Sequence, residues 1–458
     1  MSRFVQSKTW VQRASVPTRI VAVVATVALV ALVVWLVAPT DAGAATAVPA
    51  AASGPKSCPP GSDQGVTKDK VTLAVTIINI SGGALTNETV GVAPAAQQKK
   101  QWQLMADNIN KNGGVACRKL ALDFFDVNPI DPAQAQQACL DIAASKPFAA
   151  MDTGSLTAVG AADCIPAQKI PLFTNGLKLA QYKKYFPYYL GPVQAQGFAI
   201  GMQAFKDKGY FSKAKGFKKL GVLIESCTSP DEQRAALRKV VPDNQVTTID
   251  LGCNPSPPAS VYEQAVLNFK QDGVSHVTEI NAGGETAAFS KVAAQQGFKP
   301  QYVLADGSFG PKTSGQASPD AQNFDGAINV TEAAYGEENT PGFTPTGGTA
   351  KCNKIWAAAG LPPVYKQPAA YGGVVCGFEW LAQAVLNNVP KLQRSAVIKG
   401  YPKITALDVS YPNGPVTYPS APGDVATNGR LSWRTQKFVA SCQCWQVDDP
   451  TWHPSAAG

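Results

Sequence analysis

The spacing of apolar positions switches repeatedly between a period of two and a period of about 3.6 along the chain. Val71 to Ile80 is a β-branched run that predicts a buried strand. Gln97–Asn110 follows with Trp102, Met105, Ala106 and Ile109 at i, i+3, i+4 and i+7, one face of a helix, and Gly113-Gly114 ends it. Leu120–Val127 reads as the next strand. Asp131-Pro132 supplies a capping carboxylate and a proline for the first helical position, ahead of a buried stripe of Ala135, Ala138, Cys139 and Ile142. Phe148–Asp152 predicts a short strand, Val159–Gln168 a helix and Leu172–Thr174 another short strand.

A second series begins after Pro192. Gln196–Lys208, Asp231–Val240, Ser260–Gln271 and Glu285–Gln296 predict helices, with strands expected at Leu220–Ile224, Val246–Leu251, His276–Ile280 and Gln301–Ala305. Strands and helices alternating at this spacing build parallel sheets covered on both faces, so the fold class is α/β and the two series imply two lobes. Thr340–Ala350 reads as a Gly/Pro/Thr loop, Pro368–Asn388 as a long amphipathic helix, and Arg430–Val447 as a strand or hairpin.

The N-terminus has a different pattern. Arg3, Lys8, Arg13 and Arg19 precede an apolar run from Ile20 to Val37, and Ala42-Gly43-Ala44 offers a small-x-small cleavage site. These are the three parts of a secretory signal. The run, about 18 residues, also approaches the ~20 that span a bilayer. A cleaved signal and an uncleaved anchor therefore both stand, with a buried core helix as a third reading. The first two place the rest of the chain outside the cytoplasm, secreted, periplasmic or tethered to the outer face of the cytoplasmic membrane. Membrane contact is then confined to residues 1–44. Residues 45–65, rich in Ala, Pro, Ser and Gly, read as a flexible spacer.

Composition narrows the function. The 458 residues are 45% hydrophobic and 16% charged, which suits a globular core and excludes general disorder. A net charge of +8, partly carried by the leader, is no basic stripe, and no nucleic-acid partner is expected. The 10 cysteines all follow the leader, and an even number in an oxidising compartment points to disulfides. The pairs nearest in sequence are expected: Cys139–Cys164, Cys227–Cys253 and Cys352–Cys376. A metal site is not expected, because Cys442-x-Cys444 has no matching pair at ligand spacing.

Catalysis finds little support. The 2 histidines, His276 and His453, belong to no visible triad. Gly307–Thr313 superficially matches a phosphate loop, but Pro311 stands where a glycine is required. No cofactor is implied, and the expected protein is not an enzyme. A hydrolase using Glu225 and Asp306 in one cleft is the enzymatic alternative.

Polar loops follow the predicted parallel strands, on the edge where open α/β sheets bind ligands. They are Ser81-Gly-Gly83, Thr153-Gly154-Ser155-Leu-Thr157, Thr174-Asn175-Gly176, Glu225-Ser226, Asn281-Ala-Gly-Gly284 and Asp306-Gly307. For any one residue, turn and cap chemistry is the plainer account; the case rests on all six sharing an edge. Hydroxyls and amides there suit a carboxylate, and an acidic residue on the other lobe suits a cation, so together they would suit an amino acid.

These residues resemble a known family. Asn110-Lys-Asn-Gly-Gly-Val-Ala-Cys-Arg-Lys-Leu120 is similar to the INAAGGVNGRKL element of type I solute-binding proteins, the leucine/isoleucine/valine-binding group. Asp131-Pro-Ala-Gln-Ala resembles its DPAKA helix start, Thr153–Val159 its GSxxS loop, Ile170-Pro-Leu-Phe-Thr174 its IPxIS/T strand, and Gly297–Val303 its GxKxQF segment. Gln367–Asn388 resembles its aromatic helix, and the ordered set spans about residues 66–448.

The resemblance implies two Rossmann-like lobes joined by a three-crossover hinge, the type I periplasmic-binding-protein fold. Lobe 1 would comprise 66–190 and 326–402, lobe 2 would comprise 191–325 and 403–448, and 449–458 would be a tail. It implies a small-molecule ligand in the cleft and an ABC permease as partner. Ser155 would bind the ligand carboxylate, Thr174–Lys178 would line that site, and Asp306 would bind the amino group. Ser81, Gly154, Thr157, Asn175, Gly176, Glu225 and Asn281 complete the expected set. The family's tyrosines are missing from Ser226–Pro230 and from Ala282–Gly284, and Lys178 adds a positive charge. A larger, more polar or more acidic ligand than leucine is therefore expected. A sensory module on the same scaffold is the alternative to transport.

Overall fold

The computed structural model describes residues 58–80, 87, 92–158, 160–174, 179–191, 194–226, 230–252, 257–305, 318–367, 371–404, 407–410, 414, 416–417 and 430–454. The apolar run at 20–37 lies outside them, as do Ser81, Asn175, Gly176, Lys178, Cys227, Cys253 and Asp306. Among the described residues no helix is long and apolar enough to cross a membrane.

The first lobe holds β1 (Lys70–Ile78), α1 (Ala95–Lys111), β2 (Lys119–Val127), α2 (Pro132–Ser145), β3 (Ala149–Met151), α3 (Ser155–Ala158), α4 (Cys164–Ala167), β4 (Leu172–Phe173), α5 (Leu179–Tyr185) and β5 (Tyr189–Leu190). Its five parallel strands lie in the order β2-β1-β3-β4-β5. The period-two rule explains how both faces are covered. Val71, Leu73, Val75 and Ile77 of β1 pack in one cluster with Trp102 and Met105 of α1, whereas Ala74 packs in another with Ala135, Cys139 and Ile142 of α2.

The chain then forms α6 (Gln194–Asp207), β6 (Leu220–Ile224), α7 (Asp231–Arg238), β7 (Val246–Asp250), α8 (Ala259–Gln271), β8 (His276–Ile280), α9 (Gly283–Gln295), β9 (Gln301–Leu304), α10 (Ala321–Phe324) and β10 (Ile328–Thr331). It returns to the first lobe through α11 (Gly347–Ala358) and α12 (Tyr371–Asn388), and ends in β11 (Val416–Thr417), β12 (Arg430–Val439) and β13 (Cys444–Pro454). The second sheet runs β11-β12-β10-β9-β8-β6-β7, and β13 also pairs with β12. Its core strands are parallel, and β12 joins β10 antiparallel. α6 and α7 cover one face, α8 and α9 the other.

Several boundaries differ from the sequence reading. β10 belongs to the second sheet, so the second crossover follows Thr331 rather than lying near Gly326. The expected tail from 449 is sheet as far as Pro454, because it pairs with β12. The end of the expected spacer is docked: Cys58 is bonded to Cys117, and Arg394 donates from its backbone to Asp63 and from its guanidinium to Gln64. Gly65 at φ +78 sits so close to Phe148 that a Cβ would stand 2.0 Å from its backbone nitrogen.

Of the helix expected over 159–168 only the short α4 falls in that range; α3 ends before it, at Ala158, and Gly160 at φ +69 lies between the two. α11 begins inside the expected 340–350 loop. Gly348 donates its backbone N–H to Asp408, 60 residues away, at 2.8 Å, so its N-terminal anchor has no local signature. By contrast α2 starts as read: Asp131 accepts from the amides of Ala133 and Gln134, with Pro132 in the first turn. The expected disulfides Cys139–Cys164 and Cys352–Cys376 are formed, and Cys442–Cys444 closes the β12–β13 turn.

Candidate functional site

Strand register sets the site on the first lobe. Val75 of β1 is level with Met151 of β3, and Met151 with Phe173 of β4. The next residue of each strand therefore stands abreast of the others: Thr76, Asp152 and Thr174. The amide of Asp152 donates to Phe173 and that of Thr174 to Leu190, which extends the ladder past the strand ends.

Asp152 is the hub of this edge and is fully buried. Its Oδ1 accepts from Thr76 Oγ1 at 2.8 Å, Ser155 Oγ at 2.8 Å and the Leu156 amide at 3.2 Å. Its Oδ2 accepts from the Thr157 amide at 3.3 Å, Thr157 Oγ1 at 3.4 Å and Thr174 Oγ1 at 3.3 Å. Three residues expected at the ligand, Ser155, Thr157 and Thr174, thus do converge, and the carboxylate they converge on is the chain's own. Gly154 lies in the same loop at φ +106, the left-handed region that suits glycine. Ser155 and Thr174 are buried, while Thr153, Gly154 and Thr157 are half-buried.

Sequence reasoning passed over Asp152 and Thr76. Asp152 reads only as the last residue of the Phe148–Asp152 strand, and Thr76 as part of the Val71–Ile80 run. The available signal was a lone acid directly after the apolar Phe148–Met151 strand and directly before a Thr-Gly-Ser loop.

The matching edge of the second lobe is acidic. Ile224 of β6 is level with Ile280 of β8, which brings Glu225 and Asn281 side by side, and the Glu225 amide donates to Ile280 at 3.1 Å. Asn281 adopts φ +58 and accepts a long 3.5 Å contact from Gln233 of α7. Glu285, in the first turn of α9, has its carboxyl held above the ordinary value by burial, and the charge of Glu225 adds to this. The same Glu285 charge adds to burial in pushing the Tyr262 phenol up to about 12. Glu279, wholly buried in β8, accepts from the Ala282 amide at 2.5 Å and so fixes the turn that carries Asn281.

Glu332 follows β10, near the crossover back to the first lobe. Its Oε1 is sealed from solvent with no hydrogen-bond partner, and burial pushes its carboxyl up to about 8. Gly197 of α6 leaves it room: a Cβ there would stand 3.3 Å from Glu332 Oε2.

Residues 83–430 match the model of a protein family described as periplasmic binding protein. No curated protein matches the sequence significantly. Solved structures share the fold at low identity. A periplasmic binding protein type 1 from Bordetella pertussis aligns with a TM-score of 0.57 at 15% identity, over 83% of this chain and 100% of that one. The branched-chain amino acid transporter substrate binding protein LivJ from Streptococcus pneumoniae, in complex with isoleucine, gives 0.56 at 14%, over 83% and 100%. A solute binding protein of an ABC transporter from Rhodopseudomonas palustris, in complex with 3,4-dihydroxy benzoic acid, gives 0.53 at 14%, over 85% and 99%. Two mostly parallel sheets with helices on both faces, joined by repeated crossovers, together with a family match over most of the chain, place this protein in the periplasmic binding protein family.

Proposed function

We propose that the protein is an extracytoplasmic solute-binding protein that captures a small polar molecule between its lobes and presents it to an ABC permease. The carrying observation is that each lobe ends its parallel strands in a cluster of polar groups: Thr76, Asp152, Ser155, Thr157 and Thr174 on one, Glu225, Asn281 and Glu285 on the other. Two such edges lining a common cleft would hold a solute that a single lobe cannot enclose. Binding would then favour the closed arrangement, because only that arrangement offers contacts from both sides. Ser81, Gly154, Asn175, Gly176 and Asp306 are proposed to complete the lining. Residues 1–44 are proposed to export the chain or tether it to the membrane.

Native mass spectrometry of the purified chain, followed by calorimetry with the recovered molecule, tests this reading. A bound small molecule at one per chain, with a smaller radius of gyration in solution scattering on binding, is expected. A chain that binds no small solute, or turns one over chemically, would refute it.

A further inference from the structure

The hydrogen bonds around Asp152 bear on which solutes the first lobe accepts, and this inference rests on the proposal that its sheet edge lines the ligand cleft. A carboxylate only accepts hydrogen bonds, so every hydroxyl touching Asp152 must point its hydrogen at it. Thr76, Ser155, Thr157 and Thr174 each commit the one hydrogen they own. The amides of Leu156 and Thr157 are committed as well. What these hydroxyls retain is lone pairs. The four hydroxyls that would supply donors to a ligand carboxylate are therefore, in this chain, acceptors arranged around Asp152.

A carboxylate arriving there would meet oxygens with no hydrogen to give and a like charge immediately beneath them. Both effects disfavour it: a charged group that leaves water without partners loses its solvation uncompensated, and two carboxylates in one site repel. A group carrying N–H or O–H hydrogens meets the opposite situation, with acceptors on the loop and charge behind them. At its own edge the second lobe adds the carboxyl groups of Glu225 and Glu285.

We infer that Asp152 determines specificity by occupying the anion-binding position of the first lobe, so that the protein selects solutes presenting an ammonium, amidinium or hydroxyl group there and discriminates against a free α-carboxylate. The proposal departs from the expectation of a carboxylate anchored by Ser155.

Matched pairs that differ only in the carboxylate test it by calorimetry on the full chain: arginine against agmatine, ornithine against putrescine, leucine against leucinol, with myo-inositol as a carboxylate-free polyol. The expected result is that at least one carboxylate-free probe binds, and at least tenfold tighter than its carboxylated partner where it has one. Asp152→Asn, which puts an amide donor in place of one acceptor oxygen, is expected to shrink that ratio severalfold. Tighter binding of the carboxylated member in the unmodified chain overturns the inference while leaving solute binding intact, and so does a ratio that the folded variant leaves unmoved. Absence of binding by every probe and by any co-purified molecule overturns the solute-binding reading and this inference with it. The ratio in the unmodified chain decides the matter even if the variant does not fold.

Discussion

The Ser155 hydroxyl donates to Asp152 Oδ1 at 2.8 Å, across the turn that begins α3. This contact ties the loop after β3 to the strand end that precedes it, and Thr76 and Thr174 fasten the same carboxylate to β1 and to the end of β4. A single side chain thus holds three neighbouring strand ends in one arrangement.

Asp152→Ala removes every acceptor at once and leaves buried hydroxyls and amides without partners. Leaving groups of this kind unsatisfied costs about 1–3 kcal/mol each when no water replaces the partner, so a total loss of roughly 3 kcal/mol or more is expected. Asp152→Asn, which keeps one acceptor oxygen, should lose clearly less. Urea denaturation of the three proteins checks the order.

Trp102 of α1 donates its indole N–H to the Tyr371 hydroxyl at 2.9 Å, joining segments 269 residues apart. Both residues are buried, so Tyr371→Phe strands a donor with no access to water. A loss of about 1–3 kcal/mol in the first lobe is expected. Hydrogen exchange should show it in α1 and α12 and leave α8 and α9 unaffected.

The Cys352–Cys376 disulfide links α11 to α12 across a separation of 24 residues. Chain entropy gives such a link about 3 kcal/mol. The Cys352→Ser/Cys376→Ser variant should therefore melt lower, and adding reductant should lower the melting temperature of the variant less than that of the parent. Calorimetric melts with and without dithiothreitol measure both.

Glu332 carries a pH signature. Its carboxyl is raised from the ordinary 4.5 to about 8, chiefly by burial. The folded chain therefore holds a proton that the unfolded chain releases between those two values. Stability from this group is complete below about pH 4.5 and is lost as pH rises through about 8. The loss is a few kcal/mol at most, because the side chain retains some contact with solvent. Glu332→Gln should flatten the fall in stability between pH 5 and 8, read from denaturation at a series of pH values. A slope unchanged by the substitution would refute the assignment.

Local pattern was enough for much of the architecture. The β-branched run Val71–Ile80 and the run Leu120–Val127 placed β1 and β2, Asp131-Pro132 fixed the start of α2, and Gly113-Gly114 ended α1, where a Cβ on Gly114 would meet the Arg118 carbonyl at 2.1 Å. These signals are short-range, so they are written in neighbouring residues. Of the polar loops read after strands, those beginning at Thr153, Glu225 and Asn281 do follow β3, β6 and β8, and Cys139–Cys164 and Cys352–Cys376 paired as the nearest partners.

Tertiary structure alone decided what those loops do. Whether a serine hydroxyl has a hydrogen to offer depends on which strand lies beside it and at what register, and neither is encoded within a few residues of Ser155. Asp152 reaches Thr76 across 76 positions and Thr174 across 22 only because Val75, Met151 and Phe173 stand level in one sheet. The same reason hid the Asp408 contact that starts α11 and the place of β10 in the second sheet. Periodicity specifies which face of an element is apolar; the partner that a polar group meets is set by packing between elements distant in sequence.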